Sequence, residues 1–182
     1  MKRLLLFFSL CCATGAYAQN ASGVAVSNAQ LGLNNVLEIQ FTNNNSSNGN
    51  TLTLAFATTN DLANGVESPM QELRVRSNKN FNVSVKSSSS KFYTNWLGFW
   101  PVATSMTVAD VLDLKVVNNQ TGGTIDGAYS DFGDVKTTSQ SLITNANSGG
   151  NQIFQIKYKA TPGFGYAAGI YYTDVIYTAT QQ

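Results

Sequence analysis

Histidine is missing from all 182 residues, and the only two cysteines, Cys11 and Cys12, stand side by side in the first apolar stretch. If that stretch is removed on export, no thiolate and no imidazole remain. The usual zinc, copper and haem sites, the Ser-His-Asp and Cys-His mechanisms and any disulfide are then excluded. Charge is also scarce, at 12% of residues. Loss of Lys2 and Arg3 would leave nine bases against ten acids, a net charge of −1, which offers no electrostatic capture of nucleic acid or anionic lipid. Gly-x-Ser-x-Gly, Gly-x-x-x-x-Gly-Lys and Gly-x-Gly-x-x-Gly are absent, so nucleophile-elbow and nucleotide-binding chemistry has no support. Long hydrophobic runs are few. Leu4 to Ala13 is the candidate, and it falls short of the roughly 20 residues a membrane span needs.

That run has another explanation. Lys2 and Arg3 precede it, and Ala16-Tyr17-Ala18 follows as a small-x-small cleavage site, so residues 1–18 are expected to be a signal peptide. Cys11 follows Phe8-Ser9-Leu10 and lacks the small residue that precedes a lipidated cysteine. The expected product is one domain over residues 19–182, exported to the periplasm, outer cell surface or medium, with no transmembrane span.

Within that domain, apolar residues recur with period two and no window carries a helical stripe. The expectation is an all-β fold, a single antiparallel immunoglobulin-like β-sandwich of about seven to nine strands. Strands are expected over Leu33 to Phe41 and Thr51 to Ala57, joined as a hairpin by the Asn/Ser/Gly loop 43–50. A second hairpin is expected from Gln71–Arg76 and Phe81–Lys86 around Ser77-Asn78-Lys79-Asn80. Leu112 to Val117 reads as a strand, preceded by one helical turn within Met106 to Asp113, and Gln140 to Ile143 as a weaker one. A closing pair is expected from Gln152–Lys159 and Ile170–Thr180, with Tyr171, Tyr172 and Tyr177 as cross-strand partners rather than ligands.

Three places carry chemistry. Asp126, Asp131 and Asp134 share a Gly-rich loop, where they supply either oxygen ligands for calcium, a glycosidase pair, or simple turn caps; Asp110 and Asp113 read as caps of the helical turn. Phe92, Tyr93, Trp96, Phe99 and Trp100 form an aromatic loop. Tyr93, Trp96, Phe99 and Trp100 are its candidate platform for stacking glycan rings or anchoring a protein, against the alternative that the rings plug an end of the sandwich. Finally, Val24 and Val26 alternate with Ala25 and Ser27 in Gln19 to Gln30, either as a strand donated to another subunit or as the domain's own first strand. No cofactor is implied.

The segment Ala168-Gly169-Ile170-Tyr171-Tyr172-Thr173-Asp174-Val175-Ile176-Tyr177-Thr178 resembles the closing strand of secreted β-sandwich subunits of the spore coat protein U and fimbrial class, in which a Gly-x-Tyr-x-Asp pattern enters a threonine-rich last strand. The stretch Leu73 to Val85 is similar to exported domains of Bacteroidetes surface proteins as well. The resemblance implies a subunit that polymerises by β-strand donation, with copies of itself or related subunits, and a periplasmic chaperone, as partners. The leading expectation is therefore a non-enzymatic structural or adhesive subunit of the cell surface. The alternatives are a carbohydrate- or peptidoglycan-binding module using the aromatic loop, and a carboxylate-dependent hydrolase.

Overall fold

Alternating apolar and polar residues do set the architecture, which is an all-β antiparallel sandwich. The computed structural model describes residues 25–43, 49, 51–96 and 100–182, with the backbone alone for Trp96. In chain order the elements are β1 (Leu37–Phe41), α1 (Thr59–Asn64), β2 (Val66–Glu67), β3 (Gln71–Ser77), β4 (Phe81–Ser87), β5 (Lys91–Trp96), β6 (Trp100–Thr107), α2 (Val108–Val111), β7 (Leu112–Asn119), β8 (Thr124–Ile125), a 3-10 turn (Gly127–Tyr129), β9 (Gly133–Asp134), β10 (Gln140–Ala146), β11 (Gly149–Ala160) and β12 (Val175–Gln181). One sheet runs β1-β3-β11-β7-β9, with β2 also on β11; the other runs β12-β4-β10-β8; β5 and β6 form a separate two-stranded ribbon. The chain separates into residues 1–33 and residues 34–182, and all of these elements belong to the second unit.

The core lies between the two larger sheets. Leu73 and Val75 of β3, Leu114 and Val116 of β7, and Phe154 and Ile156 of β11 meet Phe81, Val83 and Val85 of β4 and Leu142 and Ile143 of β10. Full burial of each such side chain stabilises by about 1.5–3 kcal/mol, so the central strands hold most of the fold. Leu142 and Ile143 are consecutive and both buried because β10 bulges at this point, with a register shift against β4. Gly123 is required by a close approach: a Cβ there would lie 2.6 Å from the Thr144 carbonyl oxygen. The outer faces differ in kind. The first sheet gathers the charges, pairing Glu38 with Arg76 at 3.6 Å and Glu67 with Lys157 at 3.3 Å. The second presents mainly neutral hydroxyls and amides, where register places Thr178 beside Ser84 and Thr180 beside Asn82.

Several expected pairings are corrected. β3 and β4 are not a hairpin: they lie in opposite sheets, so the turn at residues 78–80 crosses the core and the two apolar faces meet through side chains. The same holds for β11 and β12, and the closing strand begins at Val175 rather than Ile170, with a single bridge from Tyr172 to Tyr93 before it. β1 pairs with β3, not with residues 51–57. Those residues bury Leu52, Leu54 and Phe56 against the core and expose Thr51, Thr53, Ala55 and Ala57, the period of an extended chain, but belong to no strand. The expected helical turn is α2, whereas α1 was missed. Its start carries a capping box in which Thr58 Oγ1 accepts from Asp61 N at 3.2 Å and Asp61 Oδ2 accepts from Thr58 N at 2.8 Å. These hydrogen bonds from Thr58 and Ala57 hold the Asp61 carboxyl below the usual carboxylate range.

Candidate functional site

The aromatic segment is a β-ribbon rather than a loop. Cross-strand partners are Trp96 with Trp100, Thr94 with Val102, Asn95 with Pro101 and Tyr93 with Ala103. Directly opposed residues share a face and neighbours along a strand alternate, so Trp100 and Val102 take the face at whose register Trp96 and Thr94 stand, while Tyr93 and Asn95 take the other. On the first face Trp100 is 67% exposed and Val102 45% exposed. On the second, Tyr93 N and Tyr172 N each donate to the other residue's carbonyl at 2.9 Å. The two rings lie 6.2 Å apart, and Tyr172 Oη donates to Asn95 Oδ1 at 2.8 Å. Thr94, Asn95, Gly169 and Ile170 line a shallow depression beside this contact.

The four-ring platform is therefore divided. Tyr93 fastens the ribbon to the segment before β12, on the side opposite Trp100. Phe92 is buried core, Phe99 lies outside the described residues, and Trp96 enters by register alone. Among the described rings of the platform, Trp100 is the one left exposed, with Val102 beside it.

The acidic loop does not converge. Asp126 Oδ1 accepts from Ala128 N at 3.0 Å and caps the 3-10 turn. Asp131 Oδ1 accepts from Phe132 N at 2.8 Å, and exposed Asp134 stands 3.5 Å from Lys136 Nζ. Among the described residues no group of three acidic side chains is placed to hold a metal ion, so the calcium set is not assembled. Sequence reasoning missed a different pair. Asp113, expected to cap a helical turn, is on β7, opposite Asp134 on one side and Lys159 on the other. Burial first, and then Asp134, push its carboxyl above the usual range against the pull of Lys159. The signal was hidden because the partners come from three strands separated in sequence. Lys115 Nζ sits 4.2 Å above the Phe132 ring and completes this charged rim.

Of the expected donor residues, Val24 lies outside the described residues and Val26 is 86% exposed. Residues 25–36 carry no helix, strand or turn and are exposed throughout. Leu31 and Leu33, 82% and 86% exposed, stand two residues apart, as on one face of a strand.

The fold defines an antiparallel β-sandwich with a separate two-stranded aromatic ribbon. Neither a family model nor a curated protein matches the sequence. Among solved structures the chain is similar to a family 123 glycoside hydrolase from Clostridium perfringens, described in a study of glycolipid glycan hydrolysis, at 14% identity and a TM-score of 0.33. The match covers 80% of this chain and 25% of that one, and similarity at this level carries no functional argument. No helix among the described residues is long and apolar enough to cross a membrane.

Proposed function

We propose that this chain is an exported, non-enzymatic structural or adhesive subunit of the bacterial surface, which associates with other copies or related subunits by strand pairing. The observation that carries the reading is the exposure of Val26, Leu31 and Leu33 on a segment without regular structure. Each such side chain left in water forgoes about 1.5–3 kcal/mol of burial, which a partner would recover. The signal-peptide pattern and the resemblance to fimbrial and coat subunits support the same reading. The Leu31→Ser/Leu33→Ser variant tests it by sedimentation velocity. The unaltered protein is expected to form oligomers or fibres at high concentration, and the variant to stay monomeric with its fold intact. A natural protein that remains monomeric, forms no fibres and is absent from the cell surface would overturn the proposal.

A second reading, a glycan-binding module, is favoured by the exposed Trp100 beside Val102, since a free indole face stacks on a sugar ring. Trp100→Ala is expected to abolish retention on peptidoglycan or polysaccharide and to change stability by no more than about 0.5 kcal/mol, because the ring is mostly in solvent. Unchanged retention would remove this reading.

A further inference from the structure

The contact between the ribbon and the segment before β12 starts as a ladder and stops after one rung. Tyr93 and Tyr172 exchange both backbone hydrogen bonds at 2.9 Å, so their amides and carbonyls point at each other. Backbone groups of alternate residues on a strand point to the same side, so those of Asn95, two residues on in β5, also point away from β6. The register agrees: Asn95 faces Pro101 on β6, a residue with no N–H to give. In an antiparallel continuation Asn95 would pair with Ile170, yet among the described residues no backbone hydrogen bond joins 94–95 to 169–171. The two chains fork instead. The gap between them is the depression lined by Thr94, Asn95, Gly169 and Ile170, about 400 Å³ in volume and within the range of small-ligand sites.

The walls of the fork define what fits it. No lining residue is charged, which suits a neutral ligand. Asn95 Oδ1 accepts from Tyr172 Oη at 2.8 Å, while Asn95 Nδ2 and Thr94 Oγ1 have no partner among the described residues. Ile170, 82% exposed, adds an uncovered apolar wall. The Tyr93–Tyr172 rung closes one end, so an extended peptide has no path through the fork, and a group carried on a branch or at a chain end enters it. A trans secondary amide presents its N–H and C=O in opposite directions, so one such group spans both walls. It accepts from Asn95 N–H and donates to a carbonyl of the 169–170 wall, as the missing rung would.

We infer that the fork is a binding site for the acetamido group of an N-acetylated sugar. The amide completes the interrupted ladder, its methyl group packs on Ile170, and the sugar ring stays at the surface, where its hydroxyls reach the Thr94 hydroxyl and the Asn95 amide. The inference goes beyond both readings above, because neither strand pairing nor the Trp100 face uses these four residues, and it gives an adhesive subunit a chemical target.

The test is a titration of the exported protein, followed by backbone amide NMR, with diacetylchitobiose, with its deacetylated form and with N-acetylalanine methylamide. Diacetylchitobiose is expected to shift the amides of Thr94, Asn95, Gly169 and Ile170, and removal of its acetyl groups to weaken binding about tenfold or more. Ile170→Ser, at an exposed position, is expected to weaken it about fourfold through the lost methyl contact, with the melting temperature unchanged. A Cβ at Gly169 would meet nothing nearer than the Tyr171 ring at 3.6 Å, so Gly169→Leu is expected to fold, to crowd the fork and to weaken binding about tenfold. Equal affinity for both sugars, or natural affinity in both variants, would overturn the inference. Shifts confined to Trp100 and Val102 would overturn it and leave the Trp100 reading standing. Tighter binding of the methylamide than of the acetylated sugar would overturn it in favour of a peptide site, and no shift with any of the three compounds at millimolar concentration would overturn it outright.

Discussion

Replacement of Phe154 by alanine is expected to cost about 3–5 kcal/mol, the range for emptying a fully buried aromatic site. Phe154 is 0% exposed and sits in β11, the strand flanked by β3 and β7, opposite Leu73 on one side and Asn119 on the other. The cavity would open where the two sheets face each other, and a rigid ladder on both sides limits collapse into it. Set against a typical total of about 5–15 kcal/mol, the loss removes a large share of the stability and in a marginal domain all of it. Urea titration of Phe154→Ala beside Trp100→Ala measures the contrast between a core ring and a surface ring. A loss below about 1 kcal/mol at Phe154 would mean that the core is not where the structure puts it.

The second large effect is on the alkaline side. Tyr158 and Tyr177 bring their hydroxyls within 2.6 Å of each other. Burial pushes the Tyr158 phenol up to about 12, and it pushes Tyr177 well above the ordinary value, with the neighbouring Tyr158 adding to the rise. A raised phenol pKa means that the neutral form is preferred in the folded state. The associated stability is fully present below the unfolded value near 10 and is lost as pH rises through the folded value. From Tyr158 alone the loss between pH 10 and about 12 is on the order of 3 kcal/mol. Tyr158→Phe/Tyr177→Phe is therefore expected to flatten the stability profile above pH 10, while it costs only about 1 kcal/mol at neutral pH for the missing hydrogen bond. An unchanged alkaline profile in the double variant would show that the pair is not what titrates. Tyr129, raised to about 12 mainly by burial and then by Asp126 and Asp134, adds a loss of the same sign over the same range.

Which residues go inside was legible from the sequence, because period two records burial directly. Gln152 to Lys159 and Ile170 to Thr180 each divide into two alternating sets, and the structure turns Phe154, Ile156 and Tyr158 inward from the first and Tyr171, Val175 and Tyr177 inward from the second. Which strand pairs with which was not. Leu73 to Val85 alternates equally well as a hairpin and as two strands facing each other through the core, and only long-range pairing with β1, β10, β11 and β12 decides between them. The capping box at Thr58 and Asp61 was readable in its spacing, but α1 is too short to leave a helical stripe. The aromatic cluster was visible as composition. Its division into a Trp100 face and a Tyr93 face came from register, which composition does not carry. The three loop aspartates looked like a cluster for the opposite reason: nearness in sequence stood in for nearness in space, and the backbone turned each carboxylate to a separate neighbour.

The account depends most on residues 25–33 finding their partner in another copy. Hydrogen exchange of the assembled protein, compared with the monomer and read peptide by peptide, tests this directly. Slow exchange across 25–33 in the assembly and fast exchange in the monomer is the outcome the account predicts. An assembly in which those amides exchange as freely as before would contradict it.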